Sequence, residues 1–436
     1  MEILDWLVSF IQLVLQTLPL SILHPVFWVF LYLTYSQYKR SIRMEQKLLG
    51  RSKNSPKKMT IISLGVGLIA GAFASFILVL LGVNLDQIGI VYIFPLLLFL
   101  LLFHPRYLCF AYAGGVVSVV SLVISNIANY EPNVLEVGFL KGLTEINIPS
   151  LIALIAVLHL TESVMIYISG HIGPGPVYVK HPDGNVVGAF SLQKFWPLPF
   201  VGLIGPTSIE QTENLFSMPD WWPIFSGEIG AVMAVDSELT YALIPLVAIL
   251  GYGDMSIASN PREKSKQSAV NLALYSIVLL LLSLGAVFYE PILWPAALFA
   301  PFGHEALIIL GNSSEFSKEP LYKQEGRGVK VLDIMPKSLG EKMGLQSGDV
   351  ILTVNNVSVS TKEELMTNLY LSQPYVRLNI ETVSGEQKFV KAPLYEHQTH
   401  LGIVLAPEGN VRDTGYVTLK SNNPIEKFVK KLLGKK

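Results

Sequence analysis

Charge is scarce in this sequence. Asp, Glu, Lys and Arg make up 15% of its 436 residues, against about 25% in an ordinary soluble domain. Together with a hydrophobic share of 51%, that shortage excludes a simple cytosolic enzyme. Cysteine is almost absent: Cys109 stands alone, so no internal disulfide can form and a cysteine-based metal site is not expected. Neither sign of charge dominates. The formal net charge of −1 gives no reason to expect a nucleic-acid partner. There is no P-loop, no dinucleotide fingerprint, no nucleophile elbow and no Cys/His cluster. No catalytic residue, no metal ligand and no cofactor is therefore assigned.

What the chain has instead is apolar sequence in blocks. Residues 60–82 carry no charge at all and are long enough to cross a bilayer as a helix, which takes roughly 20 residues. Further blocks occupy 88–103, 107–126, 149–168, 268–288 and 291–310. The first block, 3–38, is interrupted by Pro19 and Pro25 and reads as an anchor, either an interfacial helix followed by a span or one broken span. Residues 239–257 read as another apolar span. That segment is either re-entrant or paired with a weak crossing at 222–236. Residues 174–195 read as a hairpin turning at Asp183-Gly184.

This gives a polytopic α-helical membrane domain over 1–312, with about seven or eight apolar segments. A linker follows over 313–327, then a soluble domain over 328–408 and a basic tail over 409–436. Orientation follows from Lys and Arg near the span ends. Segment 39–58 carries eight of them against Glu45, and 260–267 carries Arg262, Lys264 and Lys266; both are expected inside. Glu131, Glu136 and Glu145 against Lys141 place 127–148 outside. Two further spans return the chain to the cytoplasm, where the soluble domain is expected.

From Gly328 the pattern changes to short alternating strands with turn residues between them. Residues 336–345 and 361–371 read as helices, the second with Ser360 and Thr361 as caps and Glu363 and Glu364 behind them. The stretch GLQSGDVILTVNN lies between the two, and strands follow at 374–382, 386–393 and 400–405. This order resembles a PDZ domain of the permuted bacterial type, an α+β fold. The resemblance implies that Leu401-Gly402-Ile403 is the turn that holds a peptide carboxylate and leads into the groove strand. Leu365 and Leu369, at i and i+4, would line the groove or belong to the core.

Four other features compete for a function. His304-Glu305 begins an H-E-x-x-H pattern, but position 308 is Ile, so a zinc-protease helix is incomplete. The bland reading is a polar pair at the cytoplasmic end of the last span. His159 and Glu162 lie within a span at i and i+3, a candidate polar site or a mutually satisfied pair. Gly251-Tyr-Gly-Asp254 has the G-Y-G of a potassium filter without its Thr-Val. The tail from Pro424 is basic and amphipathic, fit for anionic lipid or for solvent.

Across nearly the whole chain, His24-Pro25-Val-Phe, Trp221-Trp222-Pro223, the span layout and LNIETVSGEQKFVKAPLYEHQTHLGIVL are similar to the MinJ-like membrane PDZ proteins of Gram-positive division-site selection. The resemblance implies an integral-membrane adaptor, not an enzyme. Such an adaptor links a DivIVA-like polar scaffold to a MinD-like ATPase at septum and poles, and could form homo-oligomers. The alternatives are a site-2-type intramembrane metalloprotease relative, degenerate or regulated, and a transporter or channel.

Overall fold

A computed structural model describes residues 2–50, 52–205, 222, 224–225, 242–371, 374–393 and 401–408. The basic tail and most of 206–241 lie outside the described residues, so the lipid-binding reading of the tail and the weak crossing at 222–236 are not addressed by it. The membrane part is built on nine helices among the described residues: α1 (Glu2–Leu23), α2 (Pro25–Leu49), α3 (Pro56–Leu81), α4 (Ile90–Phe103), α5 (Phe110–Tyr130), α6 (Gly138–Thr144), α7 (Ile148–Ser169), α8 (Pro261–Phe288) and α9 (Leu293–Ser317). Proline at the first turn and an Asn cap start α7 and α8: Asn147 accepts from the Ser150 N–H at 3.0 Å and Asn260 from Glu263 at 2.9 Å. The chain bends by 66° between α1 and α2 at His24-Pro25. The break falls at the proline, as either reading of the first segment requires.

Five helices are long and apolar enough to cross a membrane: α3, α5, α7, α8 and the Glu290–Ser317 segment that contains α9. Helix α7 is apolar all round and buried along most of its length, the pattern of a central helix. Helix α4 has 14 residues, about 21 Å of rise, short of a hydrocarbon core about 30 Å thick. The corner between α4 and α5 packs at mid-height of its neighbours. Cys109 meets His159, the twelfth of 22 residues in α7, and Arg106 meets Glu305, the thirteenth of 25 in α9. Leu102, Phe103 and Leu108 of this corner remain exposed, and α5 is by itself long and apolar enough to cross.

A three-stranded sheet is inserted among these helices. Strands β1 (Gly175–Lys180) and β2 (Val186–Ile204) form the expected hairpin, turning through Gly184 at φ 93°. Strand β3 (Ala242–Ser256) pairs antiparallel with β2 from Phe190↔Ser256 to Ile204↔Ala242. This corrects the helical reading of 239–257.

Several outward backbone groups of β2, beyond its pairing with β1, are met by neighbouring residues. The Phe195 N–H donates to Tyr38 Oη at 3.2 Å and the Val201 N–H to Ser75 Oγ at 2.8 Å. Strand alternation turns positions 197 and 199 the same way, and both are proline, with no N–H to satisfy. Leu203 bridges to Asn84, and the Gly205 N–H donates to Asp86 at 3.1 Å. Gly67 and Gly71 of α3 let the carbonyls of Pro197 and Pro199 approach; a Cβ at either glycine would overlap them. Backbone away from helices is tolerated at membrane depth only where it is buried in protein and its polar groups are met.

The C-terminal domain contains β4 (Val329–Ile334), α10 (Leu339–Lys342), β5 (Val350–Val354), β6 (Val357–Ser358), α11 (Lys362–Tyr370), β7 (Tyr375–Glu381), β8 (Gln387–Pro393) and β9 (Ile403–Leu405). Its sheet runs β8-β7-β5-β4-β9, with β6 on β5. The expected capping box is present. Thr361 Oγ1 accepts from the Glu364 N–H at 3.1 Å, and the Glu364 carboxylate accepts from the Ser360 N–H at 2.7 Å. The fold is a helical membrane domain followed by a PDZ domain. The two touch: Leu332 and Val404 pack with Phe190 of β2 and with Tyr322 of the connecting segment. Beside them Lys53 Nζ pairs with Asp333 at 2.9 Å.

Candidate functional site

The PDZ sheet ends on β9. The turn before it is pinned at both sides: the Leu401 carbonyl accepts from the Gly340 N–H and the Gly402 carbonyl from the Met335 N–H, each at 2.8 Å. Gly402 has φ 69°, a conformation that suits glycine, and a Cβ there would overlap Ser338.

Beyond the turn, Ile403 lies opposite Ile334 and Leu405 opposite Val331. The bonds flanking these pairs run from Met335 to Gly402 and from Ala406 to Lys330. Both pairs are therefore of the non-hydrogen-bonded kind. The backbone N–H and C=O of Ile403 and Leu405 consequently point off the sheet. The Leu405 carbonyl accepts from Tyr178 Oη of the membrane-domain hairpin at 3.0 Å. The Glu408 carboxylate, just past β9, accepts from the Lys362 N–H at 2.6 Å, which ties the strand to the start of α11.

The leucines resolve toward the core. Leu365 and Leu369 are buried in the PDZ cluster that also holds Leu401 and Leu405, with Ile403 packed against it. The exposed apolar positions on α11 are Met366 and Tyr370, one residue farther round the helix from each leucine. Their place on the adjacent helical stripe was the available signal. Asp349 closes the GLQSGD turn by accepting from the Gln346 N–H at 2.7 Å. Burial pushes its carboxyl above the ordinary carboxylate range, and that hydrogen bond pulls the other way.

A second polar constellation lies inside the helix bundle. The Glu305 carboxylate pairs with Arg106 and accepts from Tyr112 Oη at 2.6 Å. It lies at mid-helix in α9, which runs on through the largely polar residues 311–317 to Ser317. A zinc-protease glutamate must be placed as a base beside the metal, whereas Glu305 is held by a cation and a phenol. His159 and Glu162 do not form the expected pair. His159 Nδ1 is 2.8 Å from the Ile155 carbonyl, its Nε2 is 3.2 Å from Cys109 Sγ, and Cys109 Sγ is 3.9 Å from His304 Nε2. A cysteine–dihistidine cluster is thus assembled where counting cysteines gave no metal site. Its members lie 50 and 195 residues from Cys109 in sequence, so no local spacing could show it.

Gly251–Asp254 lies on β3, in register with β2, which removes the filter reading. Asp254 accepts from Ser268 Oγ at 2.6 Å and faces buried Lys264 at 3.5 Å. Lys264 in turn faces Glu315 of α9 at 4.0 Å. Glu315 also accepts from the Ile257 and Ala258 N–H groups at 2.9 Å. The motif serves to fasten β3 to α8 and α9.

A PDZ-domain family model matches residues 330–367. Over 395 residues the chain is 24% identical to the cell division topological determinant MinJ of Bacillus subtilis, covering 90% of this chain and 95% of that protein. A probable cell division topological determinant MinJ of Lacticaseibacillus paracasei is 31% identical over 83 residues, 19% of this chain and 23% of that one. No solved structure matches the chain.

Proposed function

Since the chain is a MinJ-like membrane protein with a C-terminal PDZ domain, we propose that it is an integral-membrane adaptor of cell-division topology. The PDZ domain faces the cytoplasm, as the Lys- and Arg-rich segments 39–58 and 260–267 imply, and takes up an extended segment of a division protein. The partners are cytoplasmic: a DivIVA-like polar scaffold and a MinD-like ATPase at septum and poles. No reaction is catalysed.

The observation that carries this reading is β9. It is a terminal strand without charge, and it directs the Ile403 and Leu405 backbone groups off the sheet. A peptide adds to such an edge as one more strand, its end held at a glycine turn. The test is a crosslinking pull-down from native membranes, read by mass spectrometry. It compares the intact chain with one lacking 320–436 and with Gly402→Asp, which puts a carboxylate into the turn. Division proteins recovered only with the intact chain support the adaptor. Equal recovery with all three chains removes the PDZ domain from the function.

A further inference from the structure

We propose that Cys109, His159 and His304 bind one Zn(II) ion at mid-depth in the membrane bundle. The three side chains come from three separate elements: the α4–α5 corner, the centre of α7 and the centre of α9. One ligand atom from each lies within 4.8 Å of the others. With Zn–S near 2.3 Å and Zn–N near 2.0 Å, tetrahedral coordination sets S···N separations of about 3.5 Å. The two observed values, 3.2 and 3.9 Å, bracket that figure. The two imidazole nitrogens lie within 4.8 Å of each other, against about 3.3 Å in a tetrahedral site, so binding the ion would draw the two rings together.

The surroundings fit a ligand set better than a packing accident. Ionisable groups inside a membrane bundle are costly, yet the chain's one cysteine and two of its eight histidines converge here. His159 Nδ1 lies on the Ile155 carbonyl, which fixes its proton there and leaves Nε2 as the lone-pair nitrogen facing the sulfur. His304 is stacked edge-on against Tyr112, with ring centroids 5.2 Å apart, and against Tyr275 at 5.9 Å. Its buried Nδ1 has no hydrogen-bond partner among the described residues. Ring contacts thus hold the imidazole, with Nε2, the nitrogen near the sulfur, as the ligand atom.

One thiolate and two imidazoles select a borderline-soft cation over Mg(II) or Ca(II). Because Glu305 is held by Arg106 and Tyr112, the ion acts as a clasp joining the α4–α5 corner to α7 and α9. With three protein ligands the fourth position is left to a water molecule, and Glu305 is not placed to serve it as a base.

The single thiol makes the test specific. Full-length protein in detergent is titrated with Co(II), then with Zn(II), and Cys109 alkylation by a maleimide is timed with and without Zn(II). One Co(II) per chain with a thiolate-to-cobalt charge-transfer absorption, displaced by Zn(II), is expected. Alkylation should slow at least about tenfold with Zn(II) and recover on adding a chelator. Cys109→Ser should lose the absorption. His159→Gln and His304→Gln should weaken binding at least about tenfold, and His171→Gln should leave it unchanged. The proposal is overturned if the wild-type protein shows no charge-transfer absorption. It is also overturned if Zn(II) fails to protect a thiol that reacts fully after denaturation, or if only Cu(I) protects it.

Discussion

Along β2, the backbone groups that face away from β3 are closed one at a time: by Tyr38 and Ser75 hydroxyls, by two prolines that lack the N–H, and by Asn84 and Asp86. Along β9, the corresponding groups of Ile403 and Leu405 point off the sheet beside an uncharged strand. The far end of the same PDZ sheet is different again, since β8 carries Lys388, Lys391 and Pro393, residues that discourage strand addition. Where water is absent an unpaired edge cannot be left, because each open group costs several kcal/mol. β9 is an apolar terminal strand, mostly buried, whose Leu405 carbonyl already accepts from Tyr178. The proposed adaptor role puts partner binding on β9.

The contrast can be broken most severely from its closed side. Gly71→Leu would drive a side chain into the Pro199 carbonyl and should cost more than about 4 kcal/mol. The expected result is little or no folded protein on size-exclusion chromatography, and an unchanged melting temperature would mean that β2 does not lie against α3. Ser75→Ala opens a single bond, leaving the Val201 N–H buried and unpaired, and should lower stability by about 1–3 kcal/mol in detergent denaturation.

On the open side, Ile403→Pro removes one outward donor while the ladder bonds of Gly402 and Ala406 to β4 remain. Partner capture should fall about tenfold, near 1.4 kcal/mol, with the melting of the PDZ domain nearly unchanged. Tyr178→Phe is the mildest change. It frees the Leu405 carbonyl and should strengthen partner binding by no more than about 1 kcal/mol in a quantitative pull-down. Weaker binding would mean that the Tyr178 contact supports the groove.

The same contrast explains what the sequence made legible. In β7 burial alternates residue by residue, so period two shows through and the strand is recognisable. The strand order, the capping box at Thr361 and the Gly402 turn of the PDZ domain could all be read in advance. In β2 nearly every position is buried, helices cover the sheet, and the alternation vanishes. ALIPLVAILGYGD on β3 then looks like a membrane helix. Pro197 and Pro199, two residues apart, were the surviving sign of an edge strand.

The contacts of the α4–α5 corner were hidden for a related reason. His104-Pro105-Arg106 has the composition of a membrane boundary, but its arginine is neutralised by Glu305 from a distant helix. Pairings across 50 to 199 residues leave no local trace, which is why Cys109, His159 and His304 were weighed separately.

The open edge is tested most directly by placing a photocrosslinking residue at position 403 of the full-length protein in native membranes, with the same residue at the exposed Phe389 of β8 as the reference. After irradiation, adducts are identified by mass spectrometry. Binding along β9 predicts a cytoplasmic division protein crosslinked from position 403 and not from position 389. The same adducts from both positions, or none from position 403, would contradict it.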